Sequence, residues 1–93
     1  MYKAININSS VKIKLTDKGR KVYRNHLYDI LGSIYRKNNE IEKLFNIDED
    51  KQGYSTWQLW KLMSIFGSHI GMGSDICFET EILIDESDIK DLE

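Results

Sequence analysis

Few of this chain's residues are of the types that perform catalysis: two histidines, His26 and His69, and a single cysteine, Cys77. A thiol and an imidazole distant in sequence can still meet as nucleophile and base. Cys77 with His69 is the conceivable pair of this kind, but no orienting carboxylate or oxyanion-hole pattern stands at motif spacing around it. His26 falls among Val22, Tyr23, Leu27 and Ile30 and reads as a partly buried core residue. His69 follows a presumptive helix end, where it suits either the exposed carbonyls of the last turn or a ligand. Two histidines and one cysteine so widely separated do not make a zinc site. Asp75, Glu79 and Glu81 read as a solvated strand face. The run Asp48-Glu49-Asp50-Lys51-Gln52-Gly53 lacks the alternating acidic ligands and closing glutamate of a calcium loop. These residue types predict no catalytic residue, no metal and no cofactor, hence a non-enzymatic protein.

Residues suited to binding are better represented. Tyr54, Trp57 and Trp60 lie close together in sequence, and large aromatics with one polar atom are common anchors in interfaces as well as in cores. Gly71-Met72-Gly73 is a fragment of a phosphate-cradling pattern. It follows a helix and leads to a strand, the reverse of a dinucleotide fingerprint, so a turn is the plainer reading. Its backbone N–H groups remain available to an anion. Arg20 and Arg24, with Lys21, place positive charge on one helix. The candidate contact set is therefore Tyr54, Trp57, Trp60, His69, Gly71, Gly73, Arg20 and Arg24.

The elements that must position these residues follow from hydrophobic spacing. Val11-Lys12-Ile13-Lys14-Leu15 alternates apolar and basic, the period of a half-buried strand. Ile5 and Ile7 suit a preceding edge segment. Thr16 is a good N-cap type, and Asp17 suits the positive end of the helix dipole. Val22, Tyr23, His26, Leu27, Ile30, Leu31, Ile34 and Tyr35 then form an apolar stripe that ends at Asn38-Asn39. Gly32 lies within that stripe and suits a close helix contact or a bend. Leu44, Phe45 and Ile47 can tuck beneath the domain. Ser55 or Thr56 is expected to cap a second, nearly all-apolar helix over Trp57–Phe66, stopped by Gly67. A last strand over Cys77–Ile84 should pair antiparallel with Val11–Leu15, setting Lys12 and Lys14 opposite Glu79 and Glu81. The prediction is an α+β domain in β-α-α-β order, two main helices on a short antiparallel sheet, over residues 1–84. Residues 85–93 are expected as an acidic tail, either frayed or a short helix.

Composition bounds the function class. With 93 residues, 41% hydrophobic and 30% charged, the chain suits one small globular domain. Its ten aromatics compensate for a small core volume. No stretch is apolar enough to span a membrane, the N-terminus reads as no signal peptide, and a lone cysteine makes no internal disulfide. A reducing cytoplasm is the expected compartment. The net charge of −2 conceals a division: residues 1–37 carry +7 and residues 38–93 carry −9. Either the two halves neutralise each other, or a bipolar surface presents a basic or an acidic face to a partner.

The segment Val11-Lys-Ile-Lys-Leu-Thr-Asp-Lys-Gly19 is followed by Trp57-Gln-Leu-Trp-Lys-Leu-Met-Ser-Ile-Phe-Gly-Ser-His69, Gly71-Met-Gly73 and Phe78-Glu79. Together these resemble a family of small uncharacterised phage and prophage proteins with V-x-V-K-L-T-x-x-G and W-x-L-W-x-L-M-x-I-F-G motifs. Asn38–Gln52 and the acidic tail lie outside the resemblance, which implies a phage accessory protein in the cytoplasm of an infected bacterium. The expected function is stoichiometric binding, with a host protein of antiviral defence as partner and a homodimer as a possible form. A sponge for a nucleotide-derived signal would use Trp57, Trp60, His69, the Gly71–Gly73 loop and the helix-1 cations. A winged-helix-like DNA-binding regulator is a further alternative. The apolar second helix and the net negative charge argue against nucleic acid.

Overall fold

The computed structural model describes residues 1–31, 45–70 and 75–92. The alternating segment becomes strand β2 (Ser10–Ile13), with Val11 and Ile13 fully buried and Lys12 in solvent. On one side it pairs antiparallel with β3 (Ser55–Gln58), Val11 opposite Trp57 and Ile13 opposite Ser55. On the other it pairs antiparallel with β4 (Leu83–Ile84). A separate two-stranded ribbon joins β1 (Lys3–Ile5) to β5 (Ile89–Asp91). Helices α1 (Asp17–Leu31) and α2 (Leu59–Phe66) complete an α+β domain. Its core is Val11, Ile13, Trp57, Leu62, Ile65, Phe66 and Cys77, with Leu15, Val22, Tyr23, Ile47, Leu59 and Phe78 packed around them.

The start of α1 is a clamp. Thr16 Oγ1 accepts the Gly19 N–H (3.2 Å), as expected of an N-cap. The same residue grips the chain opposite: its N–H donates to the Cys77 carbonyl (2.9 Å), and its hydroxyl donates to the Ile76 carbonyl. Gly19 is buried against this contact, and a Cβ there would stand 1.9 Å from the Cys77 carbonyl oxygen. The L-T-x-x-G pattern thus docks a helix onto the 76–78 segment.

Three expectations need correction. Trp57 is in a strand rather than a helix, and α2 begins two residues later, at Leu59, with Gln58 as an N-cap that makes no side-chain cap bond. Ser55 and Thr56 therefore cap nothing. Ladder bonds to β2 and the burial of Ser55 and Trp57 on one face outweigh the helix-like spacing of Trp57 and Trp60. Secondly, the final strand is shorter than Cys77–Ile84. Leu15 bridges Phe78 and Lys12 pairs with Leu83, so five steps on one strand answer three on the other. Glu79 stays opposite Lys14, to whose carbonyl its N–H donates, and the surplus is a bulge beyond it that takes Glu81 out of register with Lys12. Thirdly, residues 85–91 are not a frayed end, and only three of them form the short acidic helix. Asp85 caps a 3₁₀ turn over Glu86–Asp88, and β5 follows it. The α-helix ends at Phe66 as expected, and Gly67 opens a 3₁₀ turn (Gly67–His69). The expectations on Gly32, Ile34, Tyr35, Asn38-Asn39 and Leu44 lie outside the described residues.

Asp50 organises the turn that leads into β3. Its Oδ1 accepts the N–H groups of Gln52 and Tyr54, each at 2.9 Å, while Gly53 supplies a positive φ of 88°. The Tyr54 bond, with those of Gln52 and Gly53 and the nearby Lys12 ammonium, holds the Asp50 carboxyl below its ordinary value against an opposing desolvation effect. Asp85 is lowered likewise by its bonds from Ser87. A carboxylate depressed in the folded state stabilises the fold above its unfolded pKa, about 3.9 for Asp. That contribution disappears as pH falls through the lower folded value. Melting temperatures measured between pH 7 and pH 2 should therefore drop below about pH 4. Asp50→Ala should melt lower at pH 7 and show a shallower acid decline; an unchanged slope would remove Asp50 from the account.

Candidate functional site

Among the described residues, a cavity of about 530 Å³ forms a groove along the outer edge of β3. After the Asp50–Tyr54 turn the chain does not zip back along the strand: Asn46, Ile47 and Asp48 form one wall, and Ser55, Thr56, Trp57 and Gln58 the other. Tyr23 from α1 and Lys61 from α2 complete the lining. Trp57 is only 8% exposed. Its ring meets Tyr23 edge-on at 5.0 Å and Phe66 at 5.7 Å, and its Nε1–H donates to Ser55 Oγ at 2.7 Å. Burial pushes the Tyr23 phenol upward, so it stays neutral at physiological pH. Phe45 beside Tyr23 and Phe78 beside Phe66 extend these contacts into one aromatic chain across the domain.

A second cavity, about 300 Å³ and mainly apolar, is bordered by His69, Ile70, Asp75, Ile76, Cys77, Phe78, Thr80 and Ile82. Cys77 and His69 thus share a cavity, as their conceivable pairing requires. Burial pushes the Cys77 thiol up, with Lys18 opposing, and a raised thiol is the opposite of an activated nucleophile. Among the described residues no group of three His, Cys, Asp or Glu is placed to hold a metal ion. No helix among them is long and apolar enough to cross a membrane.

No family model, curated protein or solved structure matches this chain.

The candidate contact residues do not converge. Trp57 is a core residue with one edge on the groove, whereas Trp60 is 45% exposed on α2. Met63 (59%) follows one turn later, and the Trp60 N–H donates to the carbonyl of Ile7, itself 60% exposed. Ile7, Trp60 and Met63 therefore mark an exposed apolar face on α2. Tyr54 is half-buried, with the Lys14 ammonium 4.8 Å above its ring. His69 borders the second cavity, away from both tryptophans. Gly71 and Gly73 lie outside the described residues. Arg20 pairs with Glu49 at 2.6 Å, and Arg24 lies 4.8 Å over the Phe45 ring. With Lys12–Asp50 (4.0 Å) and Lys3–Asp91 (3.6 Å), the Arg20 pair joins the basic first part of the chain to its acidic second part. Such exposed pairs add little stability, but they bring opposite charges together across the fold. Ile7, Met63, Asn46, Asp48, Thr56 and Lys61 are not among the contact residues expected from the sequence. For Thr56 the overlooked signal is the alternation Ser55-Thr56-Trp57-Gln58 directly after a glycine turn.

Proposed function

We propose that this protein is a non-enzymatic binding module that acts by stoichiometric association with another protein through the outer face of α2. The observation that carries this reading is the set Trp60, Met63 and Ile7, large apolar side chains left exposed at neighbouring positions. A solvent-facing tryptophan beside a methionine on a helix is the composition typical of an interface anchor. The resemblance to small phage proteins makes a bacterial antiviral-defence component the partner class to try first, with inhibition as the outcome of binding. The other readings have less support. A nucleotide sponge needs its aromatics, His69 and cations around one ligand, yet Trp57 and His69 border different cavities, and Lys61 is the one basic residue lining the groove among the described residues. A DNA reader needs a basic recognition helix, whereas α2 carries only Lys61.

The test is retention of a partner from lysates of several bacterial hosts on immobilised protein, wild type against Trp60→Ala. An anchor tryptophan contributes about 2 kcal/mol or more, so the variant should bind roughly 30-fold more weakly. Equal retention by the two proteins would remove the α2 face from the interface. Sedimentation of the isolated protein provides the other arm: a dimer that Trp60→Ala dissociates would make a second copy the occupant of this face.

A further inference from the structure

The ladder geometry makes β3 an open edge. Leu59 donates its N–H to the Ser9 carbonyl (2.9 Å), in the register that sets Trp57 opposite Val11 and Ser55 opposite Ile13. Hydrogen-bonded pairs alternate along an antiparallel ladder, so the odd-numbered residues of β3 direct their backbone groups to β2. Thr56 and Gln58 direct theirs the other way. β2 itself follows this alternation: the carbonyl of Lys14 serves the opposite side, accepting the Glu79 N–H at 2.8 Å. On the outer side of β3, Tyr54 is satisfied by the Asp50 turn through both its N–H and its carbonyl. One residue pair later the partner strand has gone. Among the described residues no hydrogen bond reaches the Thr56 backbone N–H or carbonyl or the Gln58 N–H. These groups face the 530 Å³ groove opposite Asn46–Asp48.

We propose that this groove is a strand-addition site, in which an extended peptide segment of a partner protein lies between β3 and the Asn46–Asp48 wall and bonds to the Thr56 main chain. Unpaired edge groups are a template for a further strand. The four residues of β3 advance about 13 Å, enough to pair with three or four residues of a peptide. Selectivity comes from the lining. One set of alternate peptide side chains meets the Tyr23 and Trp57 rings at the floor, and the rims offer a carboxylate, Asp48, and an ammonium, Lys61. The occupant is therefore an extended segment bearing a basic residue for Asp48 and an acidic one for Lys61. This surface is separate from the α2 face, and either can fail without the other.

The discriminating variant is Thr56→Pro, because it deletes an N–H that the fold does not use, and proline is tolerated on strand edges. The probe is a random heptapeptide library displayed on beads, selected against the wild-type protein. Selected peptides should combine an acidic and a basic residue with extended, alternating patterning. They should slow hydrogen exchange at the Thr56 amide and bind Thr56→Pro at least tenfold more weakly at an unchanged melting temperature. Should Thr56→Pro fail to fold, Lys61→Glu at an exposed position serves instead and should reject the peptides that carry the acidic residue. The proposal is overturned if no peptide is enriched, if the variants bind the peptides as well as wild type does, or if the Thr56 amide is already protected in the free monomer. Protection that grows with protein concentration and no peptide would assign the edge to a second copy, and would overturn it equally.

Discussion

Replacing Gly19 with alanine is expected to lower the melting temperature by roughly 10–20 °C, a loss of about 2–3 kcal/mol in a domain of this size. The sign is the informative part. Within a helix the same change ordinarily stabilises by about 1 kcal/mol, because alanine is the better helix former and restricts the unfolded chain. Here the new methyl would stand 1.9 Å from the Cys77 carbonyl oxygen and 3.0 Å from Leu15 Cδ2. The obstructing atom is backbone and cannot rotate away, so helix and strand segment must separate. Separation strains the Thr16 bonds to Cys77 and Ile76 and the Leu15–Phe78 bridge, which hold the same contact together. Overpacking of this kind costs about 1–3 kcal/mol, occasionally more, and the lost bonds add about 1 kcal/mol each. The helix-propensity gain is smaller than that sum. Gly67→Ala is the control: nothing lies within 4 Å of a Cβ there and its φ is ordinary, so its melting temperature should stay within a few degrees of wild type. A Gly19→Ala protein as stable as wild type would show that the clamp is not closed in solution.

That clamp also marks how far the sequence could be read. The Val11–Leu15 alternation, the Thr16 cap and the amphipathic stripe after it follow local rules, and they locate the strand and the start of the helix to within a residue or two. Gly19 has no local reason to be glycine; its reason is the Cys77 carbonyl far away in the chain, and a single sequence does not contain that distance. Trp57 illustrates a different limit. Trp57, Trp60 and Ser64 share a helical spacing, whereas Ser55 and Trp57 share a strand spacing, and the two patterns overlap at the same residue. Pairing with β2 decides between them, and pairing is non-local. The bulge between Phe78 and Leu83 likewise explains why the apolar positions of the last segment alternate imperfectly. The charge division was legible as arithmetic. Its resolution into Lys3–Asp91, Lys12–Asp50 and Arg20–Glu49 required the fold.

For the site, residue type alone grouped Tyr54, Trp57 and Trp60, and the fold separates them into three environments. A strand that turns into a helix at Leu59 reverses the facing of neighbouring side chains. Trp57 enters the core from the strand, and Trp60 leaves it from the first turn of α2. The same junction leaves Thr56 with an idle backbone and Lys61 at the groove rim. Both proposed surfaces thus follow from where β3 ends, one residue after the buried Trp57.

Trp57→Ala is accordingly expected to have the largest effect of any single substitution in this chain. Truncating a buried aromatic costs about 3–5 kcal/mol, against a total stability of roughly 5–14 kcal/mol for 93 residues. The indole is the middle link of the aromatic chain, touching Tyr23 on one side and Phe66 on the other. Its loss opens a cavity beneath the groove and deprives Ser55 Oγ of the donor it accepts at 2.7 Å, leaving that buried hydroxyl with the 3.4 Å bond it donates to the Ile13 carbonyl. Trp57→Phe restores most of the volume without the N–H, and should recover a large part of the loss but not all of it. Trp60→Ala, by contrast, removes a side chain that is nearly half exposed and should change the melting temperature much less, by several degrees at most. Fluorescence separates the two residues directly: iodide should quench Trp60 in the Trp57→Phe protein and barely reach Trp57 in the Trp60→Ala protein. Equal quenching, or equal destabilisation by the two alanine variants, would mean that the core and the contact face have been assigned to the wrong tryptophans.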